Sequence, residues 1–89
     1  MAGYTGMDIG QVRTLANQMR QKADEIEGIM NQLTNQLKDA QWLGNDRTTF
    51  QGNWDGQYCT SLRNVAQGLR DAATTADQNA AQQEQASNA

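Results

Sequence analysis

Large apolar residues recur at a seven-residue step from Val12 through Met19, Ile26 and Leu33 to Ala40. Leu15, Ala16, Ala23, Ile29, Met30 and Leu37 run beside them. On a helix these positions form one stripe about 100° wide, whereas the period-two alternation of a strand never persists. Asp8 stands where a helix N-cap belongs, and Gln11 follows three residues later as the reciprocal partner of a capping box. Met7 and Val12 occupy the hydrophobic-staple positions around that cap. The pattern predicts a first helix over residues 9–41, roughly 50 Å long at 1.5 Å per residue.

The stripe stops at Trp42-Leu43-Gly44 and a second begins at Phe50, running through Trp54, Tyr58, Leu62, Val65, Leu69, Ala72 and Ala76 to Ala80. Its steps of three and four again mark one face of a helix. Gly44 supplies the backbone freedom of a turn, and Asn45 or Asp46 is the expected cap of the second helix. Gly52, Gly56 and Gly68 interrupt this helix, each costing about 1 kcal/mol against Ala, unless they admit another helix closely. The predicted second helix spans residues 46–77. Residues 81–89, with no large apolar side chain, are expected to form a flexible polar tail. The fold class is therefore all-α: an antiparallel two-helix hairpin over residues 1–80, turning at 42–44.

Two helices meet along one seam, and both stripes are wider than one seam. A lone hairpin would leave Leu, Ile and Met side chains wet, so the pattern predicts that two hairpins pair into a four-helix bundle. The residues expected to fill the hairpin and dimer interfaces are Val12, Leu15, Met19, Ile26, Ile29, Met30, Leu33, Leu37, Phe50, Trp54, Tyr58, Leu62, Val65 and Leu69. Composition points the same way. At 89 residues and 37% hydrophobic, a self-sufficient core is marginal. With a single cysteine, Cys59, and no histidine, neither an internal disulfide nor a zinc cluster can supplement it. A partner chain remains.

The same composition narrows the chemistry. The net charge is −3 and Lys and Arg are scattered, so the basic patch of a nucleic-acid binder is missing. The start MAGYTGMDIG lacks the basic and apolar segments of a cleaved signal peptide. No apolar run approaches the roughly 20 residues of a membrane span, and the net acidic helices lack the Lys/Arg face typical of interfacial helices. Without histidine, general acid–base catalysis loses its commonest agent, and Cys59 has no imidazole to activate it. Asp24, Glu25 and Glu27 read as a solvated helix face. Neither catalysis, a cofactor, a metal nor a small-molecule substrate is expected. Cys59 reads as a small, partly buried filler, or as an intermolecular disulfide if the protein reaches an oxidising place.

Both tryptophans and the one phenylalanine lie within Gln41–Trp54. In a helical hairpin the turn end lacks a continuing helix to cover the core, and Trp42, Phe50 and Trp54 can close it. For the tryptophans, an exposed recognition edge stands beside the plug, since Trp is enriched at interface hot spots.

A Trp-x-Gly step between two long helices, here Trp42-Leu43-Gly44 with Phe50 six residues past the glycine, resembles the WXG family of bacterial type VII (ESX) secretion. The resemblance spans Met7 to about Ala80. It implies a helical-hairpin dimer, with itself or with a second WXG-type protein. It also implies export of the folded dimer, without a cleaved signal peptide, by a machine driven by an FtsK/SpoIIIE-type ATPase. In such dimers the Trp-x-Gly turn, here Trp42 and Gly44, joins a Tyr-x-x-x-Asp/Glu element after helix 2 in a composite export signal. This sequence departs there: no tyrosine follows Tyr58, and Tyr58-Cys59-Thr60-Ser61-Leu62 ends in leucine. Tyr4 and Asp8 have the spacing but precede helix 1, where Asp8 reads as a cap. The expectation is that a second protein supplies the element, or that the chain stays behind as an adaptor or chaperone for a larger substrate. An unrelated coiled-coil interaction protein is the remaining reading.

Overall fold

The computed structural model describes residues 7–88, which form an all-α helical hairpin. Helix α1 spans Ile9–Asp39. The return arm is one rod in three pieces: α2 over Asn45–Asn53, a π-helical turn over Trp54–Tyr58, and α3 over Cys59–Asn88. Asp8 takes an extended backbone and its Oδ1 accepts the Gln11 N–H at 2.9 Å, so α1 starts where its cap predicts.

The seam between α1 and α3 is built from small residues. On α1 the buried positions are Ala16, Ala23, Met30 and Leu37; on α3 they are Cys59, Ala66, Ala73 and Ala80. Both sets step by seven, and all five alanines are fully covered. Alanine has nothing beyond Cβ, so the backbones approach more closely than a leucine seam allows. Towards the turn the side chains enlarge, and Met30, Leu37, Trp54 and Cys59 form a cluster on which Phe50 and Leu62 pack.

Ion pairs mark the antiparallel register. Arg13 grips Glu84 through two parallel hydrogen bonds of 3.1 and 3.2 Å. Arg20 pairs with Asp77, and Arg70 bonds both Asp24, at 2.8 Å, and Glu27. The pairs 13–84, 20–77 and 27–70 step by seven up one helix and down the other. Alanines are interchangeable, so the alanine part of the seam does not by itself distinguish a slip of seven residues. The charges do, because their order reverses at the third rung: one slip sets Arg20 against Arg70 and the other sets Glu27 against Asp77. Exposed ion pairs add little stability individually; here they select one register. Asp24 and Glu27 are thus partners of Arg70, and Glu25 pairs with Lys22 at 3.0 Å, so the acidic cluster is more than a solvated face.

Three expectations are corrected. Helix α3 does not end near residue 77 with a flexible tail over 81–89; it continues to Asn88. Ala80 is a seam residue and Glu84 is held by Arg13, while Ala and Gln are good helix formers, so large apolar side chains are not required there. Ala89 lies outside the described residues. Helix α1 stops at Asp39, not Gln41, and Ala40 is extended at φ −72°, ψ 140°. Asn45 and Asp46 lie inside α2, whose N-cap is Gly44, with no side-chain cap bond. Asp46 instead places its charge in the first turn, where the helix dipole favours it.

Candidate functional site

The two arms are unequal. At about 1.5 Å per residue, α1 spans roughly 46 Å and the return arm, Asn45 to Asn88, roughly 66 Å, which matches the 66 Å long axis of the molecule. The return arm is thus about 20 Å the longer. At the turn α2 lies beside the last turn of α1, where Arg47 reaches the Leu37 carbonyl. Residues 40–44 connect the two outside any helix.

Aromatic rings gather at this end. Phe50, Trp54 and Tyr58 follow one another at i, i+4 steps on one side of the arm. The Phe50 ring lies 6.1 Å from Trp54, 6.1 Å from Trp42 and 6.5 Å from Tyr58. Such pairs contribute about 0.5–1.5 kcal/mol each beyond their buried area. Trp54 is the plug: it is buried, and its indole N–H donates to Thr34 Oγ1 at 2.8 Å, while the Thr34 hydroxyl donates to the Met30 carbonyl at 2.8 Å. The π-helical turn gives Trp54 its place, since the Cys59 N–H bonds the Trp54 carbonyl five residues back. That added residue rotates Cys59 onto the seam and turns Tyr58 outward.

Trp42 differs. It rests on Phe50 and keeps 42% of its surface exposed, and Leu43 beside it is 86% exposed. Gly44 closes the segment at φ 115°, ψ −176°, a conformation essentially reserved for glycine. Apart from its chain neighbours, no atom lies within 4 Å of where a Cβ on Gly44 would stand, so the requirement is backbone conformation and not space. The same open space surrounds Gly52, Gly56 and Gly68, so within the hairpin the alanines, not these glycines, make the close approach.

Arg47 fastens the segment, and sequence reasoning passed it over. Its Nη1 donates to the carbonyls of Ala40 and Trp42 at 3.1 Å each, and its Nη2 to the Leu37 carbonyl at 2.8 Å. Its Nε donates to Gln51 Oε1 at 3.3 Å. Leu37 is among the last four residues of α1, whose carbonyls lack helical partners, and a cation there also meets the negative end of the helix dipole. The available signal was an arginine in the first turn of the second helix, three residues past Gly44.

The second feature is a flank. Positions three residues before the α1 seam residues are the ion-pair positions 13, 20 and 27; four residues before them stand Val12, Met19, Ile26 and Leu33. At 100° per residue these sets fall on opposite sides of the seam. Helix α3 has the same phase: Arg70, Asp77 and Glu84 lie on one side, Leu62 and Leu69 on the other. Because ion pairs join the arms along one edge, the other edges lie together and form a continuous apolar flank. Leu15, Ile29, Leu33, Tyr58 and Val65 are exposed on it, Ile29 by 62%, and Val12, Met19, Ile26, Leu62 and Leu69 are half-buried. Of the residues expected to pack, only Met30, Leu37 and Trp54 are fully inside the hairpin, with Phe50 against them.

Glu84 is held below the usual carboxylate range, first by its hydrogen bonds from Arg13 and then by that charge. The guanidiniums of Arg13 and Arg70 are raised, chiefly by hydrogen bonds to Glu84 and to Asp24 with Glu27. Cys59 is buried with a free thiol. Tyr4 lies outside the described residues, and Asp8, four residues on, is occupied as the α1 cap. Among the described residues no group of His, Cys, Asp and Glu side chains is placed to hold a metal, and no helix is long and apolar enough to cross a membrane. No protein-family model, curated protein or solved structure matches the chain.

Proposed function

We propose that this chain is a non-catalytic, WXG-type dimerising subunit, exported folded through a type VII secretion system. The observation that carries the reading is the division of the hairpin's two flanks. One is closed by ion pairs, and the other exposes a run of Leu, Ile, Val and Tyr along both helices. Fully burying an exposed Leu or Ile is worth about 1.5–3 kcal/mol. The open flank therefore forgoes several kcal/mol, a large share of the roughly 5–15 kcal/mol by which domains are stable. A second hairpin laid on this flank completes a four-helix bundle, and it is either another copy or a second WXG-type protein. The Trp42-Leu43-Gly44 segment, displayed at the turn end, is the part of the signal this chain contributes. The partner brings the Tyr-x-x-x-Asp/Glu element, and an FtsK/SpoIIIE-type ATPase drives export.

The test is the culture supernatant of the bacterium that makes the chain, with and without its type VII ATPase. The chain is expected outside the parent cells and retained when the ATPase is deleted. Retention in both strains would falsify export.

A further inference from the structure

We infer that Arg47 is the positioning residue for the exposed Trp42-Leu43-Gly44 segment, holding it in the one conformation that its recognition partner reads; this rests on the export reading above.

Residues 40–44 lie outside every helix. Their backbone is tied to helices at the two ends, where the Ala40 N–H bonds the Gln36 carbonyl and the Thr48 N–H bonds the Gly44 carbonyl. Between those points a ring contact of Trp42 with Phe50 supplies apolar anchorage, and Leu43 supplies none, being 86% exposed. Arg47 takes the carbonyls of Ala40 and Trp42 within the segment and that of Leu37 at the end of α1. One planar cation thus joins α1, the segment and α2. The planar fork matters: its nitrogens point in fixed directions and reach three carbonyls at once, whereas a lysine ammonium is a single compact point of charge.

The seam is remote from this clamp. Ala16, Ala23, Ala66, Ala73 and Ala80 are covered without it, so loosening the segment leaves the long hairpin formed. What changes is the fraction of molecules presenting Trp42 and Leu43 in the held geometry, and apparent affinity falls in proportion to that fraction. Hydrogen bonds to charged groups are the stronger kind, and losing two of them lowers the held population by about ten-fold or more.

The experiment uses the full chain in its producing bacterium with Arg47→Lys, Arg47→Gln and Trp42→Ala. Three quantities are measured: export, helix content with solution mass, and the nuclear Overhauser contact between the Trp42 and Phe50 rings, which the held segment keeps 6.1 Å apart. For both Arg47 variants the expected result is parental helix content and mass, loss of most of the Trp42–Phe50 ring contact, and export reduced to the level of Trp42→Ala. A parental ring contact or parental export in the Arg47 variants, with Trp42→Ala blocked, overturns the inference and leaves the export reading standing. Parental export of Trp42→Ala means the segment is not read, and overturns both. Loss of helix content in both Arg47 variants makes Arg47 a stability residue and overturns the positioning role.

Discussion

Gly44 illustrates how much one residue decides. At φ 115°, ψ −176° a side chain is strained even though the space around it is empty. The expected cost of Gly44→Ala is about 1–3 kcal/mol, read from the urea midpoint, with helix content at zero denaturant retained. That a glycine was needed here could be read from the sequence, because the stripes break at Trp42-Leu43-Gly44. Its role as the N-cap of α2 could not, since Asn45 and Asp46 are the better cap residues by propensity. Trp54 and Trp42 likewise look equivalent on paper. Only packing separates the buried plug, bonded to Thr34, from the ring that keeps an exposed edge.

At the scale of elements, the seam explains both what periodicity found and what it missed. The seven-residue step through Val12, Met19, Ile26 and Leu33 marks positions beside the seam; Ala16, Ala23 and Ala80 stand in the stripes, whereas Ala66 and Ala73 fall outside them. The fully covered positions are alanines at the same seven-residue step. Ala73→Leu introduces a good helix former where there is no room, and is expected to cost about 1–3 kcal/mol by overpacking. Ala81→Leu, the same exchange on an exposed face, should change stability little. Thermal melts followed by circular dichroism separate the two, and equal effects would refute a close-packed alanine seam.

The ion pairs between these helices carry a pH signature. Glu84 is lowered from its ordinary 4.5 by Arg13. A carboxylate depressed in the folded state adds stability that is complete above its unfolded value and fades as pH falls through the folded one. Arg13 and Arg70 are raised still further above the alkaline range of a free guanidinium, so their contributions persist through neutral and acid pH as long as their partners stay ionised. Melting temperatures measured between pH 7 and pH 2 should therefore fall on the acid side. In Glu84→Gln the curve should start lower at neutral pH and fall less. An unchanged acid limb in that variant would exclude the pair as a contributor.

The whole molecule is a single layer, 66 Å long and 18 by 14 Å across. Two helices side by side cannot shield both of their flanks, so one flank is closed by charge and the other waits for apolar cover. If a second copy supplies it, light scattering on the purified chain should give twice 9.8 kDa. Leu15→Glu combined with Val65→Glu should return that mass to the monomer, because each new carboxylate lies where the partner would have to desolvate it. A monomeric parent would rule out self-pairing on this flank.

The sequence by itself determined the helices, their opposite directions, the break at Trp42-Leu43-Gly44 and the surplus of apolar surface. These follow from local periodicity and from the arithmetic of a small core. Only the tertiary contacts set which stripe faces inward, that α3 continues to Asn88, that Arg47 clamps the turn segment, and that the ion pairs favour one register. Each of those depends on residues 10 to 71 positions apart meeting across the hairpin. Small residues such as the seam alanines carry no individual hydrophobic signal until a second backbone is close enough to cover them.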